Sequence, residues 1–190
     1  MQQPESELVD GLKNGEETAF RELVYRYQGK VYNTCLGFVK REEDADDLAQ
    51  EVFIEIHRSI RNFRMEASLS TWIYRIAVNK SLEFLRWKKL RSRISHLFGG
   101  NLDKPADIPD FNHPGVLEER KEAAKVLLEA IGRLPEQQKT AYTLHKIEGL
   151  SYEQIAAVMQ KTFLSVQSLM HRARINLRKD LRVYYEQNML

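Results

Sequence analysis

The sequence has little in it that would cross-link, anchor or interrupt a chain. Cys35 is its one cysteine, so no internal disulfide can form, and its setting in VYNTCLGFV reads as that of a small buried hydrophobe. No stretch approaches the ~20 uninterrupted apolar residues that a membrane-spanning helix needs. The first residues, MQQPESELVDGLKNGEE, have neither a basic start nor an apolar run, so no secretory signal is read there and a cytoplasmic location is expected. Signatures of catalysis are lacking too. His57, His96, His113, His145 and His171 form no His-Glu-x-x-His or Glu-x-x-His motif, no glycine-rich loop could cradle a phosphate, and Cys35 has no evident base partner. No catalytic residue, metal site or cofactor is expected, and the chain does not read as an enzyme.

What is present is charge, and it is segregated. Residues 1–60 hold 7 Lys/Arg against 13 Asp/Glu, net −6, whereas residues 61–95 hold 9 against 2, net +7. Residues 96–135 give 5 against 7, and residues 136–190 give 8 against 5, so an acidic block separates two basic ones. An acidic first block followed by a basic second one suggests two kinds of partner, one basic and one polyanionic.

The apolar residues repeat with helical period almost throughout. Phe20, Leu23, Val24, Tyr27, Val31 and Phe38 fall on one face of a long helix, interrupted at worst near Gly29. A second helix is expected from about Glu42, where Glu42, Glu43 and Asp44 complement the positive end of the helix dipole, with a stripe of Leu48, Val52, Phe53, Ile56 and Ile60. A third runs from about Ser70 to Leu90, with Trp72, Ile73, Ile76, Ala77 and Phe84 inward. From His96 to about Gly115 the period disappears while Gly99, Gly100, Pro105, Pro109, Pro114 and Gly115 accumulate, which reads as a linker. Period resumes at about Val116 and continues to Leu134; Pro135 opens another helix, Gly149 stops it after Glu148, and Ser151 with Gln154 makes a capping box for the next. The expectation is an all-α protein of two small helical domains, residues 1–95 and 116–190, joined by a flexible linker over residues 96–115.

Two local patterns carry function. In LSYEQIAAVMQKTFLSVQSLMHRARINLRK a short capped helix presents Ile155 and the small Ala156, a turn follows around Gln160 to Thr162, and Val166 opens a longer helix ending in a string of arginines. Helix-turn-helix units need this arrangement, because helices crossing steeply require a small residue at the crossing and apolar anchors on the second helix. The second pattern is FRMEASLSTWIYRIAVNKSLEFLRWKKLRSR, where Arg75, Asn79 and Arg86 share a face opposite the apolar stripe, and Lys88, Lys89, Arg91 and Arg93 extend it. Aromatic residues interleaved with cations suit an unpaired strand, since bases stack on rings while the backbone follows the charge. Trp72 and Phe84, by their offsets, also read as core.

With these motifs in view, the chain resembles the extracytoplasmic-function sigma factors of the sigma-70 family. DADDLAQEVFIEIHRSI looks like region 2.2, FRMEASLSTWIYRIAVNKSLEFLR like regions 2.3 and 2.4, AIGRLPEQQKTAYTLHKIEGLSYEQIA like region 4.1, and the helix-turn-helix like region 4.2. Four such segments in order, with a linker where a region 3 domain would otherwise stand, are specific to that group. The resemblance implies promoter DNA and core RNA polymerase as partners, the latter through its beta-prime clamp helices and beta flap, and a cognate anti-sigma factor, often membrane-bound. It places Asp44, Asp47, Leu48, Gln50 and Glu51 against polymerase. It assigns Arg64, Trp72, Arg75, Asn79, Lys80, Arg86, Lys88 and Lys89 to the −10 element, with the loop from about Phe63 to Ser70 holding a flipped base. Ser165, Gln167, Ser168, Arg172, Arg174 and Arg178 would read or hold the −35 element.

One departure is visible. Family members usually show Thr-Val-Lys-Ser-Arg at the start of the recognition helix, where this chain has Ser165, Val166, Gln167, Ser168 and Leu169, so two cations are missing. Gln167 suits a bidentate contact to an adenine instead. A free-standing helix-turn-helix regulator with an N-terminal effector domain is the rival reading; it leaves the acidic helix and the basic aromatic helix without a role. Gln167→Ala is expected to alter base preference at one −35 position by ~1–3 kcal/mol, whereas Arg174→Ala or Arg178→Ala should weaken all promoters alike and flatten the salt dependence. Holoenzyme affinity over single-base −35 variants at several salt concentrations separates the two effects, and unchanged relative affinities would show that Gln167 reads no base.

Overall fold

The computed structural model describes residues 4–97 and 118–188, so residues 98–115 of the expected linker lie outside the described residues. Among the described residues there are eight helices and one 3-10 turn, and no strand. The first unit comprises α1 (Glu5–Asn14), α2 (Glu17–Val39), α3 (Glu42–Ser59), the turn Ile60–Asn62 and α4 (Leu69–Leu97). The second comprises α5 (Glu118–Arg133), α6 (Glu136–Lys146), α7 (Tyr152–Met159) and α8 (Phe163–Asn188).

The expected stripes become the core. Leu23, Val31 and Phe38 on α2, Leu48, Val52 and Ile56 on α3, and Ile73 and Ala77 on α4 are all buried together, each contributing on the order of 1.5–3 kcal/mol for the larger side chains. Burial also pushes the Cys35 thiol up to about 11, which leaves it protonated and inert. Gly29 faces solvent and α2 runs through it unbroken. The small helix α1 was not distinguishable from its neighbours by period alone; Gly15, at φ 80°, ends it in a left-handed cap. Its Glu5 carboxylate accepts from the Leu69 backbone N–H at 2.8 Å, so α1 caps the start of a helix 64 residues away.

Three boundaries differ from the sequence expectation. α4 continues to Leu97, past both its expected end at Leu90 and the expected domain limit at residue 95, because the basic run WKKLRSR contains no helix breaker. α6 stops at Lys146, before Glu148, and Gly149 at φ 66° turns the chain toward α7. α8 begins at Phe163, three residues ahead of Val166, since the Thr162 hydroxyl accepts from the Ser165 N–H at 3.2 Å.

In the second unit, Leu144, Ile155, Val158, Val166 and Met170 hold α6, α7 and α8 together, and Ala130, Ile131 and Leu134 of α5 pack on Ala173 and Leu177. The two units are in contact, α6 against α2 and α7 against α4. Their approach is close enough that a Cβ on Gly37 would lie 2.5 Å from Ile147 Cδ1 and 2.7 Å from Thr143 Cγ2. Lys139, only 6% exposed, donates from Nζ to the Phe38 carbonyl at 2.8 Å, with the Phe38 ring beneath it. Tyr74 Oη donates to Glu148 Oε2 at 2.8 Å across the same seam.

Burial and the nearby Lys40 charge push Lys139 down to about 8 from 10.5. With the units apart it binds a proton more readily, so the packed form gains stability as pH rises from about 8 toward the ordinary lysine range. Lys40, held down by its own burial, shifts in the same sense, and Tyr74, raised by burial and Glu148, titrates above this window. Energy transfer between labels on the two units should therefore increase between pH 7 and about 9.5. Lys139→Met should flatten that response, and Gly37→Val should lower the transfer at every pH.

Candidate nucleic-acid interface

The helix-turn-helix is assembled by capping at both ends of its turn. Ser151 Oγ accepts from the Gln154 N–H at 3.3 Å while the Gln154 side chain accepts from the Ser151 N–H at 2.8 Å, which starts α7. Gln160, where such units often carry glycine, takes the left-handed conformation at φ 53° and ends it. Lys161 N–H returns to the Ala156 carbonyl at 2.9 Å, and Thr162 caps α8. Val166, Met170, Ala173 and Leu177 anchor α8 inward. The opposite face presents Gln167, Ser168, His171, Arg172, Arg178 and Lys179 to solvent.

The six expected −35 residues are not equivalent. Gln167, Ser168, Arg172 and Arg178 are exposed. The Ser165 hydroxyl lies 2.8 Å from Thr162 Oγ1 and is occupied in the cap, and Arg174 donates to Tyr152 Oη at 3.0 Å, which holds its guanidinium along α7. Phe163 and Leu164 are exposed as well. Sequence reasoning missed them because it started the helix at Val166 and left both between the turn and the helix. Leu169 packs partly against the core.

On α4, the helix start and the preceding loop form a shallow cavity of about 160 Å³ lined by Asn62, Phe63, Arg64, Glu66, Ala67, Trp72 and Arg75. Trp72 is half-buried with its ring 5.0 Å from that of Phe63, so it serves the core on one side and lines the cavity on the other. Met65, at φ 57°, turns the loop, and Ser68 Oγ accepts from the Thr71 N–H at 3.2 Å to begin α4. The cavity has the parts that an unpaired base needs: aromatic walls, amide and carboxylate edges, and a cation.

Farther along α4 the expected cations are divided by what they touch. Arg75 donates twice to the Ala157 carbonyl, at 2.6 and 3.1 Å, and Arg86 donates twice to Glu136, at 2.7 and 3.3 Å; both partners are on the second unit. Lys80 pairs with Glu55 at 3.7 Å, and Lys88 with Asp44 at 3.1 Å. Asn79 and Lys89 face solvent. Trp87, one of the aromatic residues interleaved with cations in this stretch, is exposed, with the Arg91 guanidinium 5.3 Å from its ring.

On α3, Asp47, Gln50 and Glu51 form an exposed polar face. Leu48 requires correction: at 2% exposure it belongs to the core between α2, α3 and α4 and lies behind that face. Its membership of the apolar stripe was the signal for this. Asp44 is partly covered by its bond to Lys88. Ile54, 50% exposed, lies three residues beyond Glu51 and four beyond Gln50, which puts an apolar side chain beside the acids; it was missed because it falls off the apolar stripe.

Comparison with known proteins gives a consistent result. Residues 23–91 match the family described as Sigma-70 region 2, and residues 124–177 match Sigma-70, region 4. The RNA polymerase sigma-H factor of Pseudomonas aeruginosa is 35% identical over 183 residues, covering 95% of each chain. The ECF RNA polymerase sigma-E factor of Haemophilus influenzae is 38% identical over 170 residues, covering 88% of this chain and 89% of its own. Among solved structures, CnrH in complex with the cytosolic domain of CnrY superposes with a TM-score of 0.68 at 22% identity, over 94% of this chain and 97% of that one. The sigma factor RpoE in complex with the anti-sigma factor NepR from Bartonella quintana gives 0.64 at 23% identity, over 86% and 97%. These last two likenesses are likenesses of fold.

Proposed function

The chain belongs to the extracytoplasmic-function sigma factors of the sigma-70 family, and we propose that its two helical units divide the work of promoter recognition. Residues 1–95, extended through the end of α4, bind core RNA polymerase and handle the −10 element; residues 116–190 handle the −35 element; residues 96–115 connect them. The protein acts as an initiation subunit and leaves catalysis to the polymerase, in the cytoplasm where polymerase and chromosome meet.

The observation that carries this reading is the presence in one chain of two nucleic-acid surfaces of different kinds. The α7–α8 unit offers a protruding cationic helix of the shape that enters a duplex major groove. The cavity beside Trp72 offers a concave aromatic surface that suits an unpaired base. A free-standing regulator has use for the first alone. Asp47, Gln50 and Glu51, with Ile54 beside them, supply the polymerase-binding face, an acidic patch with an apolar centre. A cognate anti-sigma factor is the third partner, as NepR is for the RpoE relative.

Arg75 and Arg86 are bonded to Ala157 and Glu136 in the packed arrangement, so committing both fully to DNA exchanges those bonds. The packed arrangement is therefore the form off the promoter, and the units part when both elements are bound. Run-off transcription from genomic DNA, with core polymerase alone and with this protein added, tests the function directly; no new start sites would overturn it. Charge reversal at Asp47 and Glu51 together should abolish co-purification with core polymerase. Because both side chains are exposed, helical content should stay unchanged, such substitutions rarely moving stability by more than ~0.5 kcal/mol. Core recovered with the double variant at wild-type yield would remove α3 from the interface.

A further inference from the structure

The first turn of α8 is apolar where a DNA-reading helix would be expected to be polar. Leu164 is 70% exposed and Phe163 43% exposed. Single exposed apolar residues are ordinary on a protein surface. These two, however, sit at the end of the recognition helix that reaches base edges, and they are bracketed by cations, with Lys161 in the turn before them and Arg172, Arg178 and Lys179 farther along α8. Cations on both sides fit the two phosphate backbones that flank a major groove.

Leu164, Gln167, Ser168 and His171 fall at helical offsets 0, 3, 4 and 7, and all four are exposed, so they form one ridge. The Phe163 ring lies 6.0 Å from that of Tyr152 and leans on α7, which leaves Leu164 as the free apolar tip. In the major groove the apolar group on a base edge is the C5-methyl of thymine. From this geometry we infer that Leu164 reads a thymine methyl in the −35 element, as a specificity-determining residue beside Gln167. The inference rests on the sigma-factor reading above. A methyl contact carries sequence information that phosphate contacts do not, so the two missing cations do not by themselves remove sequence preference.

The test uses the full chain in holoenzyme and a promoter duplex obtained from the run-off experiment. Each −35 thymine is replaced in turn by deoxyuridine, which deletes the methyl group and leaves every hydrogen-bonding group in place. One position should lose about 4- to 10-fold in affinity for the wild type, the scale of one buried methyl or slightly more. Leu164→Ala should bind the thymine and deoxyuridine duplexes equally, at the wild type's deoxyuridine level, with an unchanged salt slope. Circular dichroism of the variant reports folding, which an exposed leucine should not affect. Deoxyuridine without effect at every position would overturn the inference, as would a thymine preference that survives in Leu164→Ala. An unchanged preference together with weaker core binding would place Leu164 against polymerase instead, and likewise overturn it. Failure of the holoenzyme to initiate at all would reject the sigma-factor reading, which is a separate result.

Discussion

Lys139 carries an ammonium group into a seam that is otherwise lined by Phe38, Thr143, Ile147 and the backbone of Gly37, and it is held there by the Phe38 carbonyl. A charge buried in this way costs free energy that one hydrogen bond only partly offsets, as the lowered pKa of Lys139 shows, so without the carbonyl at the C-terminal end of α2 the seam would bear that cost in full. Gly37 makes this possible, since a side chain there would hold α6 away from α2. The remaining cross-unit contacts depend on this approach. Tyr74 reaches Glu148, Arg75 reaches Ala157 and Arg86 reaches Glu136 because α6 already lies in place.

The consequence falls on α4. This helix has one face in the core, through Ile73 and Ala77, and another that bears the cations expected from the sequence to meet nucleic acid. In the packed arrangement those cations are satisfied by the second unit or by α3. A guanidinium is not consumed by an exposed pair, because such bonds contribute roughly 0–1 kcal/mol and exchange readily for phosphate. The arrangement thus stores Arg75 and Arg86 in weak contacts while Asn79 and Lys89 remain open. The Lys88–Asp44 pair has a different effect: it links the cationic end of α4 to the acidic start of α3, so two surfaces read separately in sequence adjoin each other in space.

At the other end of the chain, capping decides which side chains of α8 are left exposed. Thr162 starts the helix three residues earlier than its apolar anchors require, which lifts Phe163 and Leu164 out of the turn and into the first helical turn. The same cap occupies Ser165, and Tyr152 occupies Arg174. What remains exposed along α8 is the ridge through Leu164, Gln167, Ser168 and His171, followed by Arg172, Arg178 and Lys179.

Helical period, which follows from the 3.6-residue repeat and so is local, determined most of the fold: α2, α3, α4 and the α7–α8 unit were legible as stripes, caps and a turn. Leu48 was legible as core from that stripe, and only its place in a functional motif suggested a surface role. Charge segregation likewise pointed to a polyanionic and a basic partner, and the four ordered segments pointed to the family. What sequence could not supply were the contacts between distant residues. Glu5 capping α4, Lys88 pairing with Asp44, and Arg75 and Arg86 bonding to Ala157 and Glu136 involve separations of 44 to 82 residues, and no local pattern encodes them. Whether a given cation is free for DNA or engaged by the protein was decided only by tertiary structure, because it depends on which carbonyl or carboxylate the packed helices bring within about 3 Å of it.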